Sequence, residues 1–288
     1  MDSQSSKNYR IGLVLEGGAM RGMYTSGVLD CFMDEGIKAD LVAGVSAGAL
    51  FGVNYLSGQK GRAIRYNKKY NSDKNYLGIR PLLKEGNIVN TKYAYERVPH
   101  ELDPFDDETY KRSDADFYAV ITNLKDGKGE YVHVTSVFDQ MDVLRASGSM
   151  PAVSKPVEIN GQFYLDGAIA DSIPFEWVMA QGVEKTIVIL TRDESYKKKP
   201  MAKPMVALYR RKYPRFAKGM ELRHALYNMQ TETLKRLEKE GRVFVIRPSE
   251  PVNISRTERD PEKLQKVYDL GRRDALRSIR RLREYLER

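Results

Sequence analysis

Residues 41–50 read LVAGVSAGAL and join two unlike patterns at a single serine. Asp40–Ala43 is short and apolar, like the end of a buried strand, and Ala47–Val53 is small-residue sequence that a helix accepts. Between them, Gly44-Val45-Ser46-Ala47-Gly48 fits G-x-S-x-G, the strand-to-helix elbow that holds a nucleophilic serine in a strained turn. A side chain two residues to either side of that serine would crowd the facing backbone. The pattern commits this stretch to a strand–turn–helix unit, with Ser46 above the sheet edge at the positive end of the following helix.

The rest of the chain repeats the alternation. Strand-like runs occur at Ile11–Leu15, Phe117–Asn123, Tyr131–Thr135, Lys185–Thr191 and Val243–Ile246, beside Asp40–Gly44. Helical patterns occupy Met23–Glu35, Ala47–Leu56, Phe138–Ser147, Pro174–Gln181 and Pro261–Leu286. Strands alternating with helices predict an α/β fold with a mainly parallel central sheet flanked by helices. Lys185–Thr191 (KTIVILT) is apolar or β-branched through its middle, as a strand buried on both faces should be. In the last helix, Leu264, Val267, Leu276, Ile279, Leu282 and Leu286 recur at helical spacing, with Gly271 in the gap. That stripe is expected to dock on the core with Arg272, Arg273, Arg277, Arg280, Arg281 and Arg283 outside, although a basic amphipathic helix also suits a membrane or partner. Three parts are expected: a polar tail over 1–8, a catalytic core over 9–194, and 195–288 completing the same domain.

A nucleophilic serine needs a base. The three histidines, His100, His133 and His224, sit in no motif that announces a triad, so a carboxylate partner is the better candidate. Asp166 ends the short apolar run Phe163-Tyr164-Leu165 and precedes Gly167-Ala168. At a strand tip its carboxylate could accept the Ser46 proton, and it also reads as an ordinary Asp-Gly turn. Directly after the first strand, Glu16-Gly17-Gly18-Ala19-Met20-Arg21-Gly22 offers backbone N–H groups to an anion. It is no phosphate-binding P-loop, because Met23-Tyr24 stand where Lys and Ser/Thr are required, and Ala19 breaks a dinucleotide fingerprint. An oxyanion hole demands less of the side chains.

Taken in order, Gly17-Gly18-Ala19-Met20-Arg21-Gly22, Gly44-Val45-Ser46-Ala47-Gly48 and Asp166-Gly167-Ala168 resemble the patatin-like phospholipase family. Ala146-Ser147-Gly148-Ser149-Met150-Pro151 matches a segment that family usually carries before its aspartate. The likeness covers residues 9 to about 192, with a weak echo at Tyr268–Ala275. It implies a three-layer α/β fold and a Ser–Asp dyad working without histidine. Ser46 would be the nucleophile and Asp166 the base, with the amides of Gly17, Gly18 and Ala19 on the oxyanion. Gly44 and Gly48 would support the elbow, and Gly167 and Ala168 the aspartate. Arg21, beside Gly22, is the family's usual basic residue and would either draw an anionic substrate or hold the loop. Ala19 departs from the family's glycine: the hole keeps its donor if φ there is negative, and a positive φ costs about 1 kcal/mol or more.

The implied reaction is cleavage of fatty acyl esters of phospholipids or lysophospholipids through an acyl-enzyme, with no metal or other cofactor. A thioesterase or carboxylesterase on small acyl esters, or a weakly active regulatory protein on the same fold, stays open as an alternative. The chain carries a formal charge of +9, and residues 195–224 alone hold ten Lys or Arg against Glu221, which accounts for that whole excess. The segment 197–223 therefore suits a transient anionic membrane surface, or else a solvated loop and helix. No nucleic-acid module accompanies it, so no nucleic-acid partner is expected. One cysteine, Cys31, excludes an intramolecular disulfide, and no apolar run approaches a membrane span. The expected location is the cytoplasm, with peripheral contact at the inner membrane surface.

Overall fold

The computed structural model describes residues 9–288; the polar tail over 1–8 lies outside the described residues. Eight strands among them form one sheet: β1 (Ile11–Leu15), β2 (Leu41–Val45), β3 (Asp116–Asn123), β4 (Gly129–His133), β5 (Val157–Ile159), β6 (Gln162–Asp166), β7 (Lys185–Ile189) and β8 (Phe244–Ile246). Their order is β5-β6-β3-β2-β1-β7-β8, with β4 also on β3. The five strands from β3 to β8 run parallel, and β4, β5 and β6 add antiparallel pairs at one edge. Every strand read from sequence is present to within two residues. The sheet is mixed and mostly parallel.

Ten α-helices among the described residues cover it: α1 (Gly22–Asp34), α2 (Ala47–Leu56), α3 (Arg62–Tyr70), α4 (Ile79–Glu85), α5 (Asp107–Lys111), α6 (Met141–Gly148), α7 (Phe175–Met179), α8 (Lys203–Arg210), α9 (Pro214–Lys239) and α10 (Pro261–Glu287). The strand period of two decides which helices meet which face. Ile11, Leu13, Leu15, Ile187 and Ile189 point to the side of α1, α2, α6 and α10. Val14, Val188 and Leu190 point to the other, against Phe175 and Val178 of α7 and Tyr227, Leu234 and Leu237 of α9. Burial of both sheet faces explains why β1 and β7 read as continuous apolar runs.

The C-terminal residues add to both layers. β8 extends the sheet in register with β7, from Ile187 opposite Phe244 to Ile189 opposite Ile246. Helix α10 lies along α1 so closely that a Cβ on Gly27 would sit 2.1 Å from the Tyr268 carbonyl oxygen, and one on Gly271 2.1 Å from that of Tyr24. This contact corrects the expected stripe. Leu276 is exposed, and the buried face runs instead through Gly271, Asp274, Ala275 and Ser278 to Leu282. Small residues win those positions because backbone, not side chain, is what α10 presents to α1. Asp274 is stabilised there by hydrogen bonds from Tyr24 Oη (3.2 Å) and from Ser249 Oγ (2.8 Å) and amide (2.9 Å). Within the basic segment 197–223, helix α8 begins at Lys203.

Candidate active site

The sheet register brings Ser46 to Asp166 across 120 residues of chain. Val45, the last residue of β2, pairs with Val120 of β3; the next residue of β3, Ile121, pairs with Asp166 at the end of β6. Ser46 Oγ donates to Asp166 Oδ2 at 2.8 Å, and both residues are buried to 6% exposure. Asp166 Oδ1 accepts from the Ala168 amide at 2.9 Å, and the Asp166 carbonyl accepts from Thr122 Oγ1 at 2.9 Å. Gly167 packs under Val120, where a Cβ would lie 2.1 Å from its carbonyl oxygen. Burial pushes the Asp166 carboxyl above the usual carboxylate range, and the nearby Arg223 charge opposes that shift.

Ser46 has φ +55° and ψ −121°, a conformation that L-residues avoid, and it caps the N-terminus of α2. Close packing enforces the turn. A Cβ on Gly44 would lie 2.7 Å from the Ala49 backbone, and one on Gly48 would lie 2.3 Å from the Leu15 carbonyl oxygen. The Ser46 amide donates to Ser147 Oγ (2.9 Å), which in turn donates to the Val120 carbonyl (2.7 Å). Ser147 belongs to the Ala146–Pro151 segment read from sequence, where its tie to the elbow left no signal.

The glycine loop runs beside this pair. A Cβ on Gly17 would touch Ser46 Cβ at 2.8 Å, so the loop backbone lies directly over the serine. Among the described residues, no acceptor takes the amide hydrogens of Gly17, Gly18 or Ala19. Ala19 adopts φ +50°, not the negative angle under which the hole was expected to keep its donor; its amide hydrogen is nonetheless unpaired among the described residues, and the left-handed backbone costs about 1 kcal/mol or more. Gly22 begins α1 against Ala47 and Phe51 of α2. Arg21 reaches the pocket wall, where its Nε is buried without a hydrogen-bond acceptor. Burial and the adjacent Arg192 lower its pKa to about 10.

Ser46 and Asp166 open into a cavity of about 210 Å³ bounded by the glycine loop, the Met150–Val153 turn and residues 192–205. Glu16 forms part of its wall, held by the Thr191 amide (2.6 Å) and Oγ1 (3.1 Å). A second, apolar cavity of about 120 Å³ includes Met20, Leu50, Tyr95 and Leu144 in its lining. Met20 adjoins Ala19 in the chain, and Leu50 lies one turn along α2 from Ser46.

The histidines lie elsewhere: His100 stacks on Phe138, His133 on Tyr118, and His224 Nδ1 lies 2.9 Å from the Glu221 carbonyl. Among the described residues, no group of three His, Cys, Asp or Glu side chains comes together to hold a metal ion. Arg192, Lys198, Arg223 and Arg256 also line the cavity. Sequence reasoning placed Lys198 and Arg223 in the basic segment proposed for an anionic surface and gave none of the four a place in this cavity, which they reach from the loop after β7, from α9 and from the loop after β8.

A hydroxyl held by a buried carboxylate, beside amides unpaired among the described residues in a mostly parallel α/β sheet, is an arrangement capable of serine-type acyl transfer. The chain belongs to the patatin-like phospholipase family, whose model matches residues 13–179. A domain of unknown function (DUF6363) matches residues 213–287. Among relatives, the uncharacterized protein YjjU of Escherichia coli is 32% identical over 187 residues, 63% of this chain and 52% of that protein. Lysophospholipase NTE1 of Saccharomyces cerevisiae is 27% identical over 189 residues, 62% of this chain and 10% of that protein. The chain thus spans about half or less of these relatives' length. The crystal structure of VipD from Legionella pneumophila aligns with 97% of this chain and 67% of that one, at TM-score 0.48 and 12% identity.

Proposed function

We propose that this chain is a lipid acyl hydrolase that cleaves fatty acyl esters of phospholipids or lysophospholipids through a Ser46–Asp166 dyad. The observation that carries the reading is the 2.8 Å hydrogen bond from Ser46 Oγ to Asp166 Oδ2. Asp166 takes the hydroxyl proton as Ser46 Oγ attacks the ester carbonyl. The amides of Gly17, Gly18 and Ala19 receive the oxyanion, where one such donor is typically worth ~10²–10³ in rate. The leaving alcohol departs with the proton held by Asp166. Water then attacks the acyl-enzyme with Asp166 again as base, releasing the fatty acid and regenerating Ser46. The apolar cavity beside Met20 and Leu50 suits the acyl chain.

The segment 197–223 is proposed to meet an anionic lipid surface. Leu208 on α8 is 69% exposed beside Arg210, Arg211 and Lys212, and Met201 and Met205 line the cavity. Each cation near such a surface contributes ~1 kcal/mol. Among the described residues no helix is long and apolar enough to cross a membrane, and we propose peripheral action at the cytoplasmic side. Residues 9–288 are proposed to work as one domain, a reading supported by the place of β8 in the sheet.

The test is fatty-acid release from mixed phospholipid and lysophospholipid vesicles, with a soluble short-chain ester in parallel. Ser46→Ala and Asp166→Asn should each lower kcat/KM by about 10³-fold or more while keeping the wild-type melting temperature within a few degrees. Wild-type protein inert on every ester would overturn the reading.

A further inference from the structure

We propose that the cavity over Ser46 selects acyl esters whose phosphate carries no compensating ammonium, and that the segment of unknown function supplies part of this selectivity. The inference rests on the hydrolase reading for its substrate. Its own evidence is a set of five cations around one cavity: Arg21 after the glycine loop, Arg192 and Lys198 after β7, Arg223 on α9, and Arg256 after β8. Arg223 and Arg256 lie within the matched residues 213–287.

None of the five makes an ion pair among the described residues, although the chain pairs buried or half-buried arginines elsewhere. Arg62 meets Asp103, and Arg247 meets Glu238. The two carboxylates in the cavity are engaged with other donors: Asp166 accepts from Ser46 and Ala168, and Glu16 accepts from Thr191. The cations are instead held in place by neutral groups. Arg223 Nε donates to the Ala168 carbonyl at 2.6 Å. The Arg192 guanidinium lies 4.1 Å from the Tyr196 ring centroid, and Lys198 Nζ lies 4.1 Å from that of Tyr227. The Asn228 side chain fixes the Lys198 backbone through its amide (2.8 Å) and carbonyl (3.1 Å).

The five cations face only the charges of Glu16 and Asp166, with which they make no direct ion pair, so the positive excess is unfavourable in the empty pocket and becomes favourable when an anion arrives. Guanidinium groups match phosphate oxygens in a planar, bidentate geometry. A zwitterionic head would bring a quaternary ammonium toward the same cations, a like-charge contact that discriminates against it. The chemistry that fits is an acyl ester with a phosphate and a neutral or absent head substituent. Burial, and then the charge of Arg223, push the Lys198 pKa down to about 7, as expected of a cation in a crowded positive site.

The test compares lysophosphatidic acid with lysophosphatidylcholine of the same acyl chain. Wild-type kcat/KM should favour the anionic lipid by at least about tenfold, the effect of one charge-assisted contact. Arg256→Gln and Arg192→Gln should each shrink that ratio by about tenfold, and Arg256→Lys should keep most of it. Among the described residues the Arg256 side chain makes no hydrogen bond or ion pair, so its replacement should leave the melting temperature in place. Equal kcat/KM for the two lipids, or a ratio unmoved in both glutamine variants, overturns the proposal. Calorimetric binding of the two lysolipids to Ser46→Ala decides it without turnover. Tighter binding of the anionic lipid by about tenfold supports the cationic site even if the hydrolase reading fails, and equal affinities overturn it.

Discussion

The hydroxyl of Ser147 holds the backbone of Ser46: it accepts the Ser46 amide at 2.9 Å and passes its own hydrogen to the Val120 carbonyl at 2.7 Å. The elbow is thereby tied to β3, the strand that also carries Asp166 on β6. Ser147→Ala leaves a buried N–H and a buried carbonyl each short of a partner, which costs about 1–3 kcal/mol. Urea unfolding should show that loss. In kinetics, kcat should fall with little change in KM, because Ser147 positions the nucleophile without touching substrate. An unchanged unfolding midpoint would count against the tie.

Two residues of the site hold positive φ without being glycine, Ser46 at +55° and Ala19 at +50°. Ser46→Ala and Ser46→Gly both remove Oγ, so their difference isolates backbone strain. The glycine variant should be more stable than the alanine variant by roughly 1 kcal/mol, the strain relieved less the added freedom of the unfolded chain. Ala19→Gly should likewise raise stability by up to about 1 kcal/mol. Chemical denaturation of the three variants measures both effects. Equal midpoints for the two Ser46 variants would argue that the turn is relaxed.

Helix α10 meets α1 backbone to backbone at Gly27 and Gly271. Gly271→Ala puts a methyl group 2.1 Å from the Tyr24 carbonyl oxygen if nothing moves, so the helices must separate. Overpacking of this kind costs about 1–3 kcal/mol. Thermal melting should fall by several degrees with kcat/KM almost unchanged at a permissive temperature. A variant as stable as wild type would contradict the close contact.

The site titrates at both ends. Asp166 must be ionised to accept a proton, and burial raises its carboxyl, so the acid limb of kcat/KM should lie above the ordinary carboxylate value of about 4. Lys198 behaves in the opposite sense. Burial and the charges of Arg223, Arg21 and Arg192 lower its pKa to about 7, against the pull of Glu16, so it is charged below that pH and neutral above. Preference for lysophosphatidylglycerol, whose single phosphodiester charge is constant over this range, over a zwitterionic lysolipid should therefore decline as pH rises through about 7. Lys198→Arg should flatten that decline. A wild-type preference that holds steady or grows across this range would show that Lys198 does not contribute.

Much of the sheet was legible because its strands are buried on both faces: Ile11–Leu15 and Lys185–Ile189 offer no polar alternation to misread. The elbow helix Ala47–Leu56 was legible for the same reason. Residues 57–115 were not. There Arg62 and Asn67 occupy buried positions on α3, with Arg62 bonded to the Asp103 carbonyl and to Asn54, so polar residues interrupt the apolar period. A π-helix over Tyr93–Leu102 contains Pro99, which argues against a helix in any sequence reading. The basic segment 197–223 concealed a division: Lys198 and Arg223 face the cavity while Arg211 and Lys212 face outward. No local pattern could report that, nor the convergence of Arg21, Arg192 and Arg256, because only the folded sheet brings them together.

The most direct test of the central claim is covalent labelling with a fluorophosphonate, which captures an activated serine, read by intact mass and peptide mapping. A single adduct on the peptide containing Ser46, absent in Ser46→Ala and strongly slowed in Asp166→Asn, is the predicted result. Ester hydrolysis by wild type with the adduct on another residue, or with undiminished labelling of Ser46→Ala, would contradict it.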